Sequence, residues 1–194
     1  MGWRFADRNS AGEQRTPVWG GVGAPMRILG IDPGLRRTGY GLVEISARGP
    51  VLLEGGLIET DGRRPLPARL HELYCGLLDV VSEGRPEVIA LEDLFAHSGF
   101  PRAGILMGHV CGVVCLAAAQ SGVPVDTISP ASVKRAIVAS GSAGKRQIQR
   151  MVRHLLVLAE DPGTHVADAL AIALTALSRR GLPPARPARV RGSA

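Results

Sequence analysis

The hydrophobic positions of the chain fall into two rhythms. Met26–Asp32 (MRILGID) is a short apolar run that stops at an acid and a Pro-Gly turn, the pattern of a buried strand. Thr38–Ser46 (TGYGLVEIS) and Val51–Ile58 (VLLEGGLI) predict two more strands, joined by a turn over Ala47–Pro50. A meander of three antiparallel strands follows. Within Pro67–Ser82, Leu70, Leu73, Tyr74, Leu77, Leu78 and Val81 recur at helical spacing, which predicts an amphipathic helix. Pro86–Glu92 (PEVIALE) is a second apolar run that ends in an acid. Ala103–Gln120 predicts a long helix rich in Gly and Ala, and Val123–Ile128 a further strand. Helices are expected at Ala131–Ala139, Lys145–Leu156 and Thr164–Arg180. Strands and helices in this order predict an α/β domain around a mixed sheet.

The pattern fades at both ends. Residues 1–25 are rich in Gly, Pro and Arg and hold no apolar run. They are expected to be a disordered extension or an artefact of start-site choice, with Met26 as an alternative start. Residues 181–194 (GLPPARPARVRGSA) are expected to form a flexible basic tail, which leaves residues 26–180 as the folded body. Both tryptophans, Trp3 and Trp19, lie in the extension. No membrane span is expected, because the most apolar stretch, Ile105–Ala119, is shorter than the roughly 18 residues a span needs and contains His109. The three cysteines, Cys75, Cys111 and Cys115, read as reduced, buried thiols, which suits the cytoplasm. Cys111 and Cys115 lie near His109, but a zinc site wants a fourth ligand and none is close in sequence.

Charge matters here by its placement. The 194 residues hold 23 Lys and Arg against 17 Asp and Glu, net +6. Three of these bases and two of the acids fall in residues 1–25, and three bases with no acid in residues 181–194. The body keeps 17 bases and 15 acids, net +2, so a polyanion would meet a patch rather than a global field. The only two lysines, Lys134 and Lys145, fall between the last strand and the last helix. Arg135 lies beside them, and Arg146, Arg150 and Arg153 follow at i, i+4, i+7, one face of a helix. A phosphate-tracking patch predicts affinity that falls with salt, with a log–log slope of about −0.9 per contact.

Four titratable residues stand out by context. Asp32 and Glu92 each sit where an apolar strand ends, the place where sites form in open α/β sheets. In the otherwise apolar segment Gly163–Leu177, Asp168 is the only charged residue and His165 the only other titratable one. A carboxylate there is costly unless it is paired or metal-bound. His165 and Asp168 share a helix face by their i, i+3 spacing. Three carboxylates and one imidazole suit Mg²⁺ or Mn²⁺.

These residues lie in an ordered series of motifs: Gly30-Ile31-Asp32-Pro33-Gly34, Thr38-Gly39-Tyr40-Gly41, Leu91-Glu92-Asp93-Leu94-Phe95, Gly141-Ser142-Ala143-Gly144-Lys145, Gln149-Arg150-Met151-Val152 and Ala167-Asp168-Ala169-Leu170-Ala171-Ile172-Ala173. The series resembles the RuvC family of Holliday-junction endonucleases, within the RNase H-like superfamily, over roughly Met26 to Gly181. The resemblance implies an RNase H-like fold with a five-stranded mixed sheet, three antiparallel plus two parallel strands, flanked by helices. It implies that Asp32, Glu92, His165 and Asp168 are catalytic and bind two divalent ions, Mg²⁺ or Mn²⁺. His165 stands where many members have Asp, which points to better use of Mn²⁺. A ligating His must be neutral, so activity should fall in acid.

The resemblance also implies DNA contacts by Lys134 and Lys145, with Arg146 and Arg150 beside them, and by Phe95, stacked on an unpaired base near the junction centre. Its implied substrate is a four-way DNA junction, cut symmetrically by a homodimer to leave 5′-phosphate and 3′-hydroxyl ends in recombination and repair. A branch-migration complex of the RuvA and RuvB type is the implied partner. Gly104, Gly108 and Gly112 form a stripe that could pack on the sheet or on a second subunit. A sugar-kinase-like ATPase is a rival reading, but the body is too short for two lobes. The other rival, a non-catalytic junction-binding protein, is disfavoured because all four ligand positions hold competent donors.

Overall fold

The computed structural model describes residues 3–4, 26–46, 49–93, 101–138 and 144–181. Its elements, in chain order, are β1 (Trp3–Arg4), β2 (Met26–Asp32), β3 (Arg37–Ser46), β4 (Gly49–Glu59), α1 (Leu66–Gly84), β5 (Val88–Glu92), α2 (Pro101–Gln120), β6 (Val125–Ile128), α3 (Pro130–Val138), α4 (Lys145–Leu155) and α5 (Thr164–Arg179). The strands form one sheet in the order β1-β4-β3-β2-β5-β6. β2, β3 and β4 are the expected antiparallel meander, and β5 and β6 continue it in parallel. The five expected strands are thus present in a mixed sheet, and the two-residue β1 adds to the edge of β4.

Alternation along β2 divides the core into two layers. Ile28 points to a cluster with α3, α4 and α5, which includes Val133, Ile148, Val152 and Leu174. Leu29 and Ile31 point the other way, onto Leu73 and Leu77 of α1 and Val110 and Val114 of α2. A period of two in a strand sends successive side chains to opposite faces, so both faces are covered. On α4, Ile148, Val152 and Leu155 are buried while Arg146, Arg150 and Arg153 face solvent. The two stripes share one spacing and are offset by two residues, which puts them on opposite sides of the helix.

Helix α5 is apolar all round because it is enclosed all round. Every residue from Ala169 to Leu177 is buried. It reaches the sheet closely only because the strands beneath it carry glycine. A Cβ on Gly30 would lie 2.0 Å from the Ala169 carbonyl oxygen, and one on Gly39 would lie 2.3 Å from the His165 carbonyl oxygen. No side chain fits in either space.

Several expectations change. β6 starts at Val125 rather than Val123, because Gly122 turns the chain at φ 68° and the Val123 N–H caps α2 through the Ala118 carbonyl. The cysteines are free, but they are not buried: Cys75 and Cys115 are exposed and Cys111 is half-buried. The inward stripe of α2 is Val110, Val114, Ala117 and Ala118, and the cysteines flank it. The Gly104–Gly108–Gly112 stripe does not pack on the sheet, since a Cβ on any of the three would meet nothing within 4 Å.

The run counted from Ile105 also understates α2. The segment Ala103–Gln120 is long and apolar enough to cross a membrane by length and composition alone. In this fold its inward stripe is part of the core against α1. Phe95, Phe100 and nearly all of the two terminal segments lie outside the described residues.

Candidate active site

Parallel pairing of β2 with β5 aligns Ile31 with Leu91, so the next residues, Asp32 and Glu92, leave neighbouring strands side by side. The loop that follows Asp32 is held in place. The buried Thr38 hydroxyl donates to the Gly34 carbonyl at 2.8 Å. Arg69 of α1 donates to the Leu35 carbonyl at 3.2 Å and to the Thr60 hydroxyl at 3.1 Å. These contacts give the Asp-Pro-Gly turn and Thr38 a structural task, which is to fix the strand end that presents Asp32.

The first turns of α5 complete the group. His165 Nδ1 lies 2.8 Å from Asp32 Oδ2, a hydrogen bond between side chains 133 residues apart in the chain. Asp32 is the more enclosed partner, with 15% of its side chain exposed against 45% for His165. When Nδ1 carries the proton donated to Asp32, the lone pair of the neutral ring is on Nε2. Asp168 lies one turn along α5 and lines the same cleft as Asp32, Glu92 and His165. The cleft is about 420 Å³, and Lys134, Gly144, Lys145, Ile148 and Ile172 also line it.

Electrostatics set this cleft apart. Burial pushes the Glu92 carboxyl up to about 7 from an ordinary 4.5, with further push from the charges of Asp32 and Asp168 and a downward pull from Lys145. Asp168 is raised by burial and by Asp32, against Lys145 and His165. Asp32 is raised by burial, which outweighs the His165 hydrogen bond, the His165 charge and Lys145. Three carboxylates held together with raised pKa values are poorly compensated by the protein alone. Glu92 and Asp168 have no hydrogen bond or ion pair among the described residues.

A divalent cation fits this donor set chemically, as hard oxygen ligands and one imidazole suit Mg²⁺ or Mn²⁺. Among the described residues, no three His, Cys, Asp or Glu side chains are yet drawn together tightly enough to hold an ion. Like-charged carboxylates repel, and His165 is engaged with Asp32, so closure of the set requires a positive charge between them.

The sequence-predicted site residues are distributed as follows. Asp32, Glu92, His165, Asp168, Lys134 and Lys145 share the cleft. Arg146 and Arg150 are exposed on α4, whose first residue is Lys145. Arg153 is paired with Asp161 at 3.3 Å and ties down the connection between α4 and α5, as Gln149 does through the Pro162 carbonyl at 3.0 Å. Gly30 and Gly39 were missed as site-shaping residues; their signal is glycine at inward strand positions opposite the final helix. Arg36 and Arg37 were also missed. They line an open hollow with Gly34 and His165, and Arg37 is held by Glu59 at 2.8 Å.

A family model described as Crossover junction endodeoxyribonuclease RuvC matches residues 28–176. The Crossover junction endodeoxyribonuclease RuvC of Rhodopirellula baltica is 46% identical over 155 residues, covering 78% of this chain and 86% of its own length. The Thermus thermophilus RuvC structure superposes with a TM-score of 0.72 at 36% identity, covering 82% of this chain and 99% of that one. The same protein in complex with Holliday junction substrate gives 0.71 at 34% identity, over 82% and 98% of the two chains.

Proposed function

Since the chain belongs to the crossover junction endodeoxyribonuclease RuvC family, we propose that it resolves Holliday junctions in recombination and repair by hydrolysing DNA phosphodiesters. The observation that carries this reading is the single cleft that joins Asp32, Glu92, His165 and Asp168 to Lys134 and Lys145. Half-buried anions beside two lysines suit a reaction on a phosphate, with the acids facing a metal and the lysines facing the backbone.

Asp32, Glu92, His165 and Asp168 would hold the metal. Two divalent ions, Mg²⁺ or Mn²⁺, would ease attack by water and offset charge on the leaving 3′ oxygen, giving 5′-phosphate and 3′-hydroxyl ends. Asp32 orients the His165 ring through Nδ1 and leaves Nε2 to ligate. Lys134 and Lys145 hold the scissile strand from the α3 and α4 side, and Arg146 and Arg150 extend that track along α4. Phe95, in the segment after Glu92, stacks on an unpaired base, an interaction worth about 1–3 kcal/mol.

The active form in this reading is a homodimer, because a four-way junction with two-fold symmetry needs two matched sites. The exposed face of α2 fits that contact. Ile105 and Leu116 are 63% and 55% exposed, and the glycine stripe between them lets another backbone approach closely. The protein works in the cytoplasm with a RuvA and RuvB type branch-migration complex.

One assay tests the activity: a synthetic four-way junction with Mg²⁺ or Mn²⁺, beside linear duplex and beside ATP. Paired symmetric nicks confined to the junction are expected. Binding without nicks would instead make the protein a junction-binding module. His165→Asp is expected to retain cleavage and to raise the ratio of the Mg²⁺ to the Mn²⁺ rate. An unchanged ratio would place His165 outside the metal ligands.

A further inference from the structure

The turn that follows Asp32 leads to two arginines that the proposed chemistry does not use. Arg36 and Arg37 line a hollow of about 460 Å³ with Gly34 and His165. His165 also lines the cleft of the acids, so hollow and cleft share a wall. The sheet order sets their sides. β3 flanks β2 on one side, while β5, β6 and then α3 lie on the other. Arg37 at the start of β3 and Lys134 on α3 therefore stand at opposite ends of the row that holds Asp32 and Glu92.

The backbone beneath the arginines is fixed. The Gly34 carbonyl accepts from the Thr38 hydroxyl at 2.8 Å, the Leu35 carbonyl from Arg69 at 3.2 Å and the Arg36 carbonyl from the Thr60 N–H at 3.2 Å. Arg37 precedes Gly39 by two residues on β3, so it shares the face on which a Gly39 Cβ would meet the His165 carbonyl oxygen. Glu59, directly across the ladder, takes Arg37 Nε at 2.8 Å. Among the described residues, neither terminal amino group of Arg37 and no atom of the Arg36 guanidinium has a hydrogen bond or ion pair. The exposed Arg63 and Arg64, by contrast, are each paired with an acid. A guanidinium is a planar fork that matches phosphate oxygens, and here two stand on a rigid turn with donors to spare.

We propose that Arg36 and Arg37 hold a second DNA phosphate, the one adjoining the scissile group on the cut strand. This rests on the reading of the cleft as a DNA-cleaving site. The cut strand then crosses His165, with the scissile phosphate between the acids and the lysines and its neighbour in the hollow. Anchors on both sides fix the scissile link over the acids.

Binding of a synthetic four-way junction to the full-length protein over a salt series, without Mg²⁺ or Mn²⁺, reads the contact. Loss of one phosphate contact lowers the log–log slope by about 0.9, so a fourfold rise in salt should cost the double variant Arg36→Gln, Arg37→Gln about 3.5-fold less affinity than it costs the unaltered chain. The double variant Arg36→Lys, Arg37→Lys keeps both charges and should keep the slope. Both side chains are exposed, so neither variant should unsettle the fold. A glutamine variant with an unaltered slope would overturn the proposal, while a lowered slope for Lys145→Gln in the same series would leave the reading of the cleft standing. Junctions with an uncharged methylphosphonate next to the scissile link, 5′ in one and 3′ in the other, locate the contact. At one of the two positions the unaltered chain should show the lowered slope, and the glutamine variant should lower it no further. Additive losses at both positions would place the arginines on another phosphate and overturn the assignment. No binding of the junction by the unaltered chain would overturn the function and this inference together.

Discussion

The two faces of the sheet solve opposite problems. On one, α5 is enclosed on every side yet carries Asp168 and His165 into a cleft with Asp32 and Glu92. On the other, α2 buries only one stripe and leaves Ile105 and Leu116 in solvent beside three glycines on which an added Cβ would meet open space. One face holds charge where water is scarce; the other holds apolar surface where water is abundant. Each arrangement is unfavourable for the isolated chain, and under the proposed function each is relieved by something the chain binds. Burial of carboxylates is relieved by a cation, and exposure of an apolar helix face by a second apolar surface. Sites of function are where a fold departs from its own stability rules.

The contrast can be broken first at the charged face. Asp168→Asn keeps the shape of the side chain and removes its charge. Cleavage of a four-way junction should fall by about 10²-fold or more, the order seen when one transition-state-stabilising group is lost, while junction binding persists. A rate within a few-fold of the unaltered protein would remove Asp168 from the chemistry. At the other face, Gly108→Glu introduces a charge where a Cβ meets nothing. Sedimentation should show a monomer, and the fold should keep its stability to within about 0.5 kcal/mol, as at other free surface positions. A dimer of undiminished affinity would move the interface elsewhere.

Gly39→Ala tests how closely α5 is pressed to the sheet. The added methyl would meet the His165 carbonyl oxygen at 2.3 Å, so backbone must move. A loss of about 1–3 kcal/mol in denaturant unfolding is expected, the usual cost of overpacking. The subtlest effect is on pH dependence. In the folded chain Glu92 titrates near 7, against 4.5 for its ordinary value. Between those limits the folded state keeps a proton that the unfolded chain has released, so stability falls as pH rises through that window. Asp32 and Asp168 are raised too and act with the same sign. Melting temperature measured without divalent cations should decline across the window, and Glu92→Gln should flatten the decline. Added Mg²⁺ should raise melting of the unaltered protein more than that of Glu92→Gln. An identical pH profile for the two proteins would show that Glu92 is not strained by its neighbours.

Strand and helix identity was legible because burial imposes its own period on sequence. Ile28–Ile31 and Val88–Leu91 are apolar throughout since both faces of the sheet are covered, and α4 alternates Ile148, Val152 and Leu155 with arginines since only one side of it meets the core. The acids of the cleft were legible for a related reason: Asp168 is the only charged residue in a largely apolar segment, and such a residue needs a partner. Local pattern could not tell which apolar surface stays open. The cysteines and glycines of α2 sit among residues as apolar as any in the core, yet that face is turned outward. A helix contacts its neighbours with one stripe, and which stripe is decided by where α1 and the sheet lie.

Chain order and residue type by themselves determined the elements, the donors and the family motifs. Tertiary structure decided what those donors do to one another. The hydrogen bond from His165 to Asp32 spans 133 residues, and the rise of Glu92 comes from burial beside two carboxylates on other elements. The pairing of Trp3 with Gly55 is of the same kind. Burial, Coulomb energy and hydrogen bonding depend on distances in space, and a linear pattern carries those distances only within one helix or strand.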